Sequence, residues 1–278
     1  MIRRKTENFS LEQICRSGQC FRMEERSDGR YRVVAGKRCL ELEQQGEEVL
    51  FYCEEAEFRD FWEDYFDLKG DYADYISRID PDDAYLKNAA EFGGGIRILK
   101  QDLWEMTVSF LISQQNNIAR IRRCIENICE RYGERMADGS GEAYYAFPLP
   151  EALAGLEENA LMECNLGYRS KYVVRAAKSA ADGGFDLDLV RHLPYREARE
   201  ELMRLFGAGG KVADCICLFA LHQLEAFPVD THIDRALQAH YSQGFPMERY
   251  DGFQGVLQQY IFYYELTGKG TVVRGDRK

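Results

Sequence analysis

The chain has 278 residues, 45% of them hydrophobic, which suits one large or two ordinary domains with a proper core and excludes a disordered or fibrous polymer. Its formal net charge of −11 argues against nucleic acid as a partner of the surface as a whole, although binding needs only a local basic face. No apolar run reaches the length of a membrane span, "MIRRKTENFS" lacks a signal peptide's apolar segment, and nine scattered cysteines fit a reducing compartment, so a cytoplasmic protein is expected, nucleoid-associated if bacterial.

In chain order, the first part reads as strands. "RYRVVAGKRCLELEQQGEEVLFYC" alternates apolar and polar residues, with Gly36 and Gly46 as turn signals. "EEAEFRDFWEDYFDL" then turns helical, and "EFGGGIRIL" marks a boundary near residue 97. Beyond it helices dominate. "DLWEMTVSFLIS" is one, with Asp102 as its N-cap. After the polar break "QQNN", Ile118, Ile121, Ile125 and Ile128 form an apolar stripe that Gly133 ends. Further helices are expected over 150–162, 170–181, 195–206, 211–221, 230–240 and 255–266. The expected fold class is α+β, with an N-terminal antiparallel β-sheet domain bearing helices (1–97) and a larger all-α domain (98–278).

Metal chemistry is not indicated. His192, His222, His232 and His240 form no HExxH, no CxxC pair exists, and no cysteine follows Cys217, which excludes a C-terminal four-cysteine iron–sulfur loop. The chemistry-bearing stretch is "FGAGGKVADCICLFALHQLEAFPVDTHIDRAL", where two helices joined by "GAGG" make a helix–hairpin–helix. Glycines let the backbone bend tightly and approach another molecule, and the next helix offers free N–H groups, a natural phosphate seat. A Walker P-loop fails, because it needs Gly where Leu205 stands and Ser or Thr where Val212 stands.

Lys211 stands at the entrance of the helix after the hairpin, with Cys215 four residues on. On a partly buried face at a positive helix end, a lysine has its charged form disfavoured by desolvation and by the dipole, which makes the amine nucleophilic. A solvated lysine at a helix start fits the spacing equally well. Asp230 in "FPVDTH" is a good N-cap, and a capping carboxylate can also stabilise positive charge developing on a sugar.

"LFGAGGKVADCICLFAL" with the downstream "FPVDTH" resembles the helix–hairpin–helix Gly/Pro/Asp (HhH-GPD) DNA glycosylase superfamily, and its 8-oxoguanine DNA glycosylase/lyase branch in particular. "SGQCFRM", "EDYFDL", "GIRILKQDLWEMTVSFLISQQNNIARI", "NLGYRSKYV" and "QQYIFYY" resemble further segments of that branch in family order, spanning nearly the whole chain. The resemblance implies that Lys211 is the nucleophile attacking the sugar C1′ and Asp230 the carboxylate that assists it. It places Cys215 and Phe262 on the two faces of the flipped base, Gln258 on its Watson–Crick edge, and the Gly18 carbonyl on the atom that distinguishes the lesion from guanine. Gln115, Arg120, Tyr168 and Arg169 correspond to residues that fill the gap and read the orphaned cytosine, and Asn117, Gly207, Gly209 and His232 to further DNA-facing positions. The branch commonly has Asn where Gln115 stands, and "SQQ" resembles alkylated-base glycosylases instead, which predicts a weaker preference for cytosine opposite the lesion.

The expectation is therefore a bifunctional DNA glycosylase/AP lyase of base excision repair, removing 8-oxoguanine from duplex DNA through a lysine Schiff base and β-elimination. A monofunctional alkylpurine glycosylase and a non-catalytic helix–hairpin–helix DNA-binding protein are the alternatives. The resemblance implies no organic cofactor, a monovalent cation bridging hairpin carbonyls to a phosphate, and a monomer without an obligate protein partner.

Overall fold

The computed structural model of the protein describes residues 1–270. Five antiparallel strands, β1 (Ile2–Lys5), β2 (Met23–Glu25), β3 (Tyr31–Ala35), β4 (Arg38–Gln45) and β5 (Glu48–Phe51), form a sheet of order β1-β5-β4-β3-β2. Register follows the alternation read from the sequence: Tyr31 faces Leu42, Val33 faces Leu40, and Leu42 faces Phe51 on its other side. Leu40 and Leu42 are wholly buried while Glu41 and Glu43 are not, so a one-residue slip would invert the sheet. Gly36 (φ +58°) and Gly46 (φ +63°) make the two tight turns.

A continuous helical segment of Glu55–Glu57, Phe58–Trp62 (with a π turn) and Glu63–Tyr65 covers the sheet. Phe58, Trp62, Tyr65 and Phe66 join Leu11 and Ile14 of helix Leu11–Arg16 in a small core beneath it. The larger core belongs to the helices. The expected chain boundary at 97 is not where the apolar clusters part. Helix Ala84–Gly93 packs against the C-terminal helix Gln254–Leu266, and Tyr72, Leu86 and Ile96 lie in the larger cluster.

The central helix Leu103–Ser113 is buried from Leu103 to Ile112 and starts where Asp102 accepts the Glu105 N–H at 2.9 Å. Helix Ile118–Tyr132 buries Ile121, Ile125 and Ile128. It stops at Gly133, where an added Cβ would lie 2.1 Å from the Ala146 carbonyl oxygen. Close approach, rather than a left-handed cap, requires that glycine. The expected helix over 150–162 is broken: Pro150–Ala154 ends at Gly155, and a separate 3-10 turn, Ala160–Cys164, follows. Helix Leu187–His192 and the small hairpin β6 (Arg135–Ala137) and β7 (Ala143–Tyr145), both missing from the sequence reading, are too short to show a period.

What matters for the site is the seam between sheet and helices. Ser10 N donates to Gly95 O (2.7 Å) and Gly95 N to Gln13 Oε1 (2.8 Å), and no Cβ fits at Gly95, 2.6 Å from that of Ser10. Buried Gln19 donates to Ser17 Oγ (3.0 Å) and Arg97 O (2.9 Å) and accepts from Leu99 N (2.9 Å). The loop Ser17–Gln19 is thereby held rigidly against the helical core.

Candidate active site

Helices Tyr195–Met203 and Gly210–Phe219 flank the glycine turn, as the sequence indicated. Gly207 takes φ +91°, and an added Cβ would meet the Tyr172 ring at 2.7 Å, so conformation and space both demand glycine. Gly209 is an N-cap without a side chain, which leaves the first-turn N–H groups uncapped by any side chain. Buried Asp214 locks the two helices together, accepting from Tyr195 Oη (2.8 Å) and Arg199 Nε (2.6 Å) on one carboxylate oxygen.

A cavity of about 560 Å³ opens beside this hairpin. Lys211 enters it from the first turn of Gly210–Phe219, its Nζ 5.6 Å from the centre of the Phe110 ring, with no ion pair among the described residues. Cys215, one turn on, is buried, and burial pushes its thiol up to about 11 against the opposing pull of the Lys211 charge. It therefore presents a neutral, polarisable surface rather than a second nucleophile.

Asp230 caps helix Thr231–His240 with a single oxygen, Oδ1 accepting from both His232 N and Ile233 N at 2.9 Å. Its second oxygen has no hydrogen-bond partner among the described residues, so one carboxylate can cap the helix and line the cavity together. From helix Gln254–Leu266, Gln258 donates Nε2 to Pro228 O (2.9 Å), while its buried Oε1 has no partner among the described residues. An orphaned buried acceptor costs about 1–3 kcal/mol and is relieved by a ligand N–H. One turn on, Phe262 forms the wall opposite Gly18 (φ +75°), where an added Cβ would stand 3.1 Å from Phe262 Cε1 and 3.3 Å from Ile118 Cδ1. Gln259 pins this loop to the helix by donating to Ser17 O at 2.5 Å. The His232 ring is edge-on to Phe262 at 5.8 Å.

At the rim, Gln115 adopts a left-handed φ of +48°, unusual for a non-glycine residue. Tyr168, 46% exposed, donates Oη to Gln115 Oε1 at 3.4 Å. Arg120 is exposed, with only a 3.3 Å bond from Nη2 to Asn165 O. Two of the rim residues are engaged within the protein. Arg169 is 3% exposed: it donates from Nε to Gln114 O (2.7 Å) and from Nη2 to Gln115 O (2.8 Å) and Gln114 O. Its guanidinium also lies 4.5 Å from the centre of the Tyr168 ring. It clamps the strained Gln115 turn and orients Tyr168. Asn117 caps helix Ile118–Tyr132 by accepting from Arg120 N (3.0 Å), which engages its side-chain oxygen locally. Arg120, Tyr168, Gly207 and Gly209 lie outside the cavity lining, on the surrounding surface, and buried Arg169 lies outside the lining as well.

Several lining residues escaped the sequence reading. Phe110 stacks on Phe219 (5.6 Å) and meets Phe21 edge-on (5.7 Å), which builds an aromatic floor. Phe110 and Phe219 read as ordinary core in a helical period, and Phe21 lies in a loop without one. The adjacent glutamines of "QQYIFYY" were the available signal for Gln259. Among the described residues, no group of three or more His, Cys, Asp or Glu is arranged to hold a metal ion, and no helix is long and apolar enough to cross a membrane.

A small antiparallel sheet domain packed on a helical one, with an uncapped glycine hairpin feeding a lysine into a cavity faced by a capping aspartate, defines the helix–hairpin–helix class of DNA-repair proteins. Residues 1–107 match the family model of the 8-oxoguanine DNA glycosylase N-terminal domain, and residues 108–246 that of the HhH-GPD superfamily base excision DNA repair proteins. The chain belongs to this superfamily, in its 8-oxoguanine DNA glycosylase branch. It is 30% identical to the N-glycosylase/DNA lyase OGG1 of Arabidopsis thaliana, over 93% of this chain and 78% of that protein. It is 36% identical to the N-glycosylase/DNA lyase of Saccharomyces cerevisiae over 59% of this chain, a match that spans 46% of the yeast protein. The 8-oxoguanine glycosylase/lyase of Clostridium acetobutylicum, solved with double-stranded DNA containing cytosine opposite 8-oxoG, superposes with a TM-score of 0.89 at 37% identity. That superposition covers 94% of this chain and 93% of that one.

Proposed function

We propose that the protein is a bifunctional DNA glycosylase/lyase that removes 8-oxoguanine from duplex DNA. The carrying observation is that Lys211 and the Asp230 oxygen not used in capping share one cavity with a thiol, an aromatic ring and an amide whose oxygen lacks a partner among the described residues. A base reaches such a cavity only by leaving the stack, and Cys215 and Phe262 supply its two faces. Gln258 Oε1 then accepts from a donor on the base's Watson–Crick edge. The Gly18 carbonyl attracts the N7–H of the oxidised base and repels guanine's bare N7 acceptor.

The Lys211 amine attacks C1′; the C1′–N9 bond breaks, its electron pair leaves with the base, and the base takes the proton that the new C1′-bound nitrogen releases. The Asp230 carboxylate stabilises the positive charge that develops on the sugar. The nitrogen lone pair then opens the C1′–O4′ bond, O4′ takes a proton from water, and the Schiff base so formed loses a C2′ proton to water, its electrons expelling the 3′ phosphate and nicking the strand. Uncapped hairpin N–H groups hold the DNA backbone. Among the described residues the carbonyls of Phe206, Gly207 and Ala208 accept no backbone hydrogen bond, and such neutral oxygens suit a monovalent cation. The net charge of −11 is then a property of surfaces away from the hairpin. A monomer acting without a protein partner, with the catalytic machinery within 98–278 completed by the Gly18 loop, is part of this reading.

The test is borohydride trapping on an 8-oxoguanine:cytosine duplex. The parent protein should form a covalent adduct and Lys211→Gln none. An undiminished adduct in the variant removes Lys211 from the chemistry, and release of alkylated rather than oxidised base supports the monofunctional alternative.

A further inference from the structure

The helix that follows Tyr168 and Arg169, two of the gap-filling wedge residues, is Ser170–Ala181; it carries Lys171, Arg175 and Lys178 and no acidic residue, in a chain whose 47 acids outnumber its 36 lysines and arginines. Its buried face is Val173, Val174, Ala176 and Ala177, so the cations stand on the outside. At 1.5 Å per residue, Lys171 to Lys178 spans about 10 Å, roughly three phosphates at 3.4 Å of axis per strand.

This row is joined to the hairpin. Phe206, at the hairpin apex, is 44% exposed, with the Arg175 guanidinium 4.1 Å and Lys171 Nζ 5.8 Å from its ring centre. Tyr172 meets Phe206 on one side (5.5 Å) and Tyr168 on the other (5.7 Å), and the missing Cβ of Gly207 lets the hairpin close onto it. Wedge, cationic row and hairpin are therefore one rigid strip. A lone exposed ring or a solvated charge would need no explanation. Here the ring is held in place, flanked by two cations, and continuous with the DNA-facing residues. Glu158 pairs with Arg175 at 2.6 Å, and Lys171 and Lys178 make no ion pair among the described residues.

The geometry points to a second DNA contact. The strip Lys171–Phe206–Arg175–Lys178 grips the undamaged duplex flank on the hairpin side of the lesion, its lysines on phosphates and the Phe206 ring against deoxyribose. This rests on the reading of the chain as a duplex-DNA enzyme. The surface carries no base-reading geometry, so it adds affinity without selectivity.

Binding to undamaged and 8-oxoguanine duplexes, measured by fluorescence anisotropy over a series of KCl concentrations, tests the assignment. Lys171→Gln/Lys178→Gln should lower the slope of log K against log salt by about 1.8, at about 0.9 per phosphate. It should weaken both duplexes alike and leave the single-turnover rate at saturating protein unchanged. Glu158→Gln, a gain test that does not depend on damaging the fold, should free Arg175 and steepen the slope by about 0.9. Phe206→Ala should weaken binding about equally at every salt concentration. A parental slope in both the lysine and the Glu158 variants overturns the proposal. A parent protein that releases no oxidised base defeats the functional reading instead, independently of the slopes.

Discussion

Asp230→Asn separates the capping role of this carboxylate from the catalytic role proposed for it. In the structure Oδ1 alone takes both cap bonds, and an asparagine oxygen can take the same place. Asn and Asp are nearly equal as N-caps, so the loss in stability is limited to the charge–dipole term, about 0.3–1 kcal/mol. Against a typical domain stability of about 5–15 kcal/mol, the folded fraction stays essentially complete. Catalysis loses the whole negative charge opposite the sugar. Removing one preorganised transition-state group costs on the order of 10²–10³ in rate, about 2.7–4 kcal/mol. Urea unfolding and single-turnover base release on an 8-oxoguanine:cytosine duplex give the two quantities on the same preparations. The expected result is a midpoint close to the parent and a rate down by about 10² or more. Asp230→Ser, another competent cap without charge, should behave alike. Parental activity in both variants, or activity that falls only as far as stability does, would refute the catalytic role and leave Asp230 a cap.

The two rim arginines should part company. Arg120→Ala should lose mainly the preference for cytosine over adenine opposite the lesion, a contact worth about 1–3 kcal/mol, read from single-turnover rates on the two duplexes. Arg169→Lys removes the planar fork that holds the Gln114 and Gln115 carbonyls. It should cost about 2 kcal/mol in urea unfolding and slow release opposite both bases together. A selective loss of cytosine preference in that variant would restore base reading to Arg169. The third expectation concerns pH. Glu105 lies 3.6 Å from Arg22 in the buried seam, and burial pushes its carboxyl up to about 7, against the opposing Arg22 charge. The folded state therefore binds the extra proton between the unfolded value of about 4.3 and about 7, so the Glu105 contribution is fully present below that window and lost as pH rises through it. The difference in unfolding free energy between the parent and Glu105→Gln should fall across the window and then level off. A difference that rises or stays flat contradicts the assignment.

Much of this protein is written in short-range signals. The alternation in β3 and β4, the caps at Asp102 and Asp230, and the glycines of the hairpin each act within a few residues, so the sequence alone determined the sheet, the main helices, and Lys211 and Asp230 as the residues to watch. The family resemblance extended that list to Gly18, Cys215, Gln258 and Phe262, all of which line the cavity. What only the tertiary structure decided is which way side chains of ambiguous type point. Periodicity cannot separate Phe110, Phe219 and Ile118, which line the cavity, from equally apolar neighbours that do not. Nor does composition tell an outward arginine, Arg120, from one folded back onto carbonyls, Arg169. The bond from Gln259 to Ser17 joins residues 242 positions apart. No local propensity encodes such a meeting; it follows from the packing of the whole core, where buried polar groups find whichever partner the completed fold brings within reach.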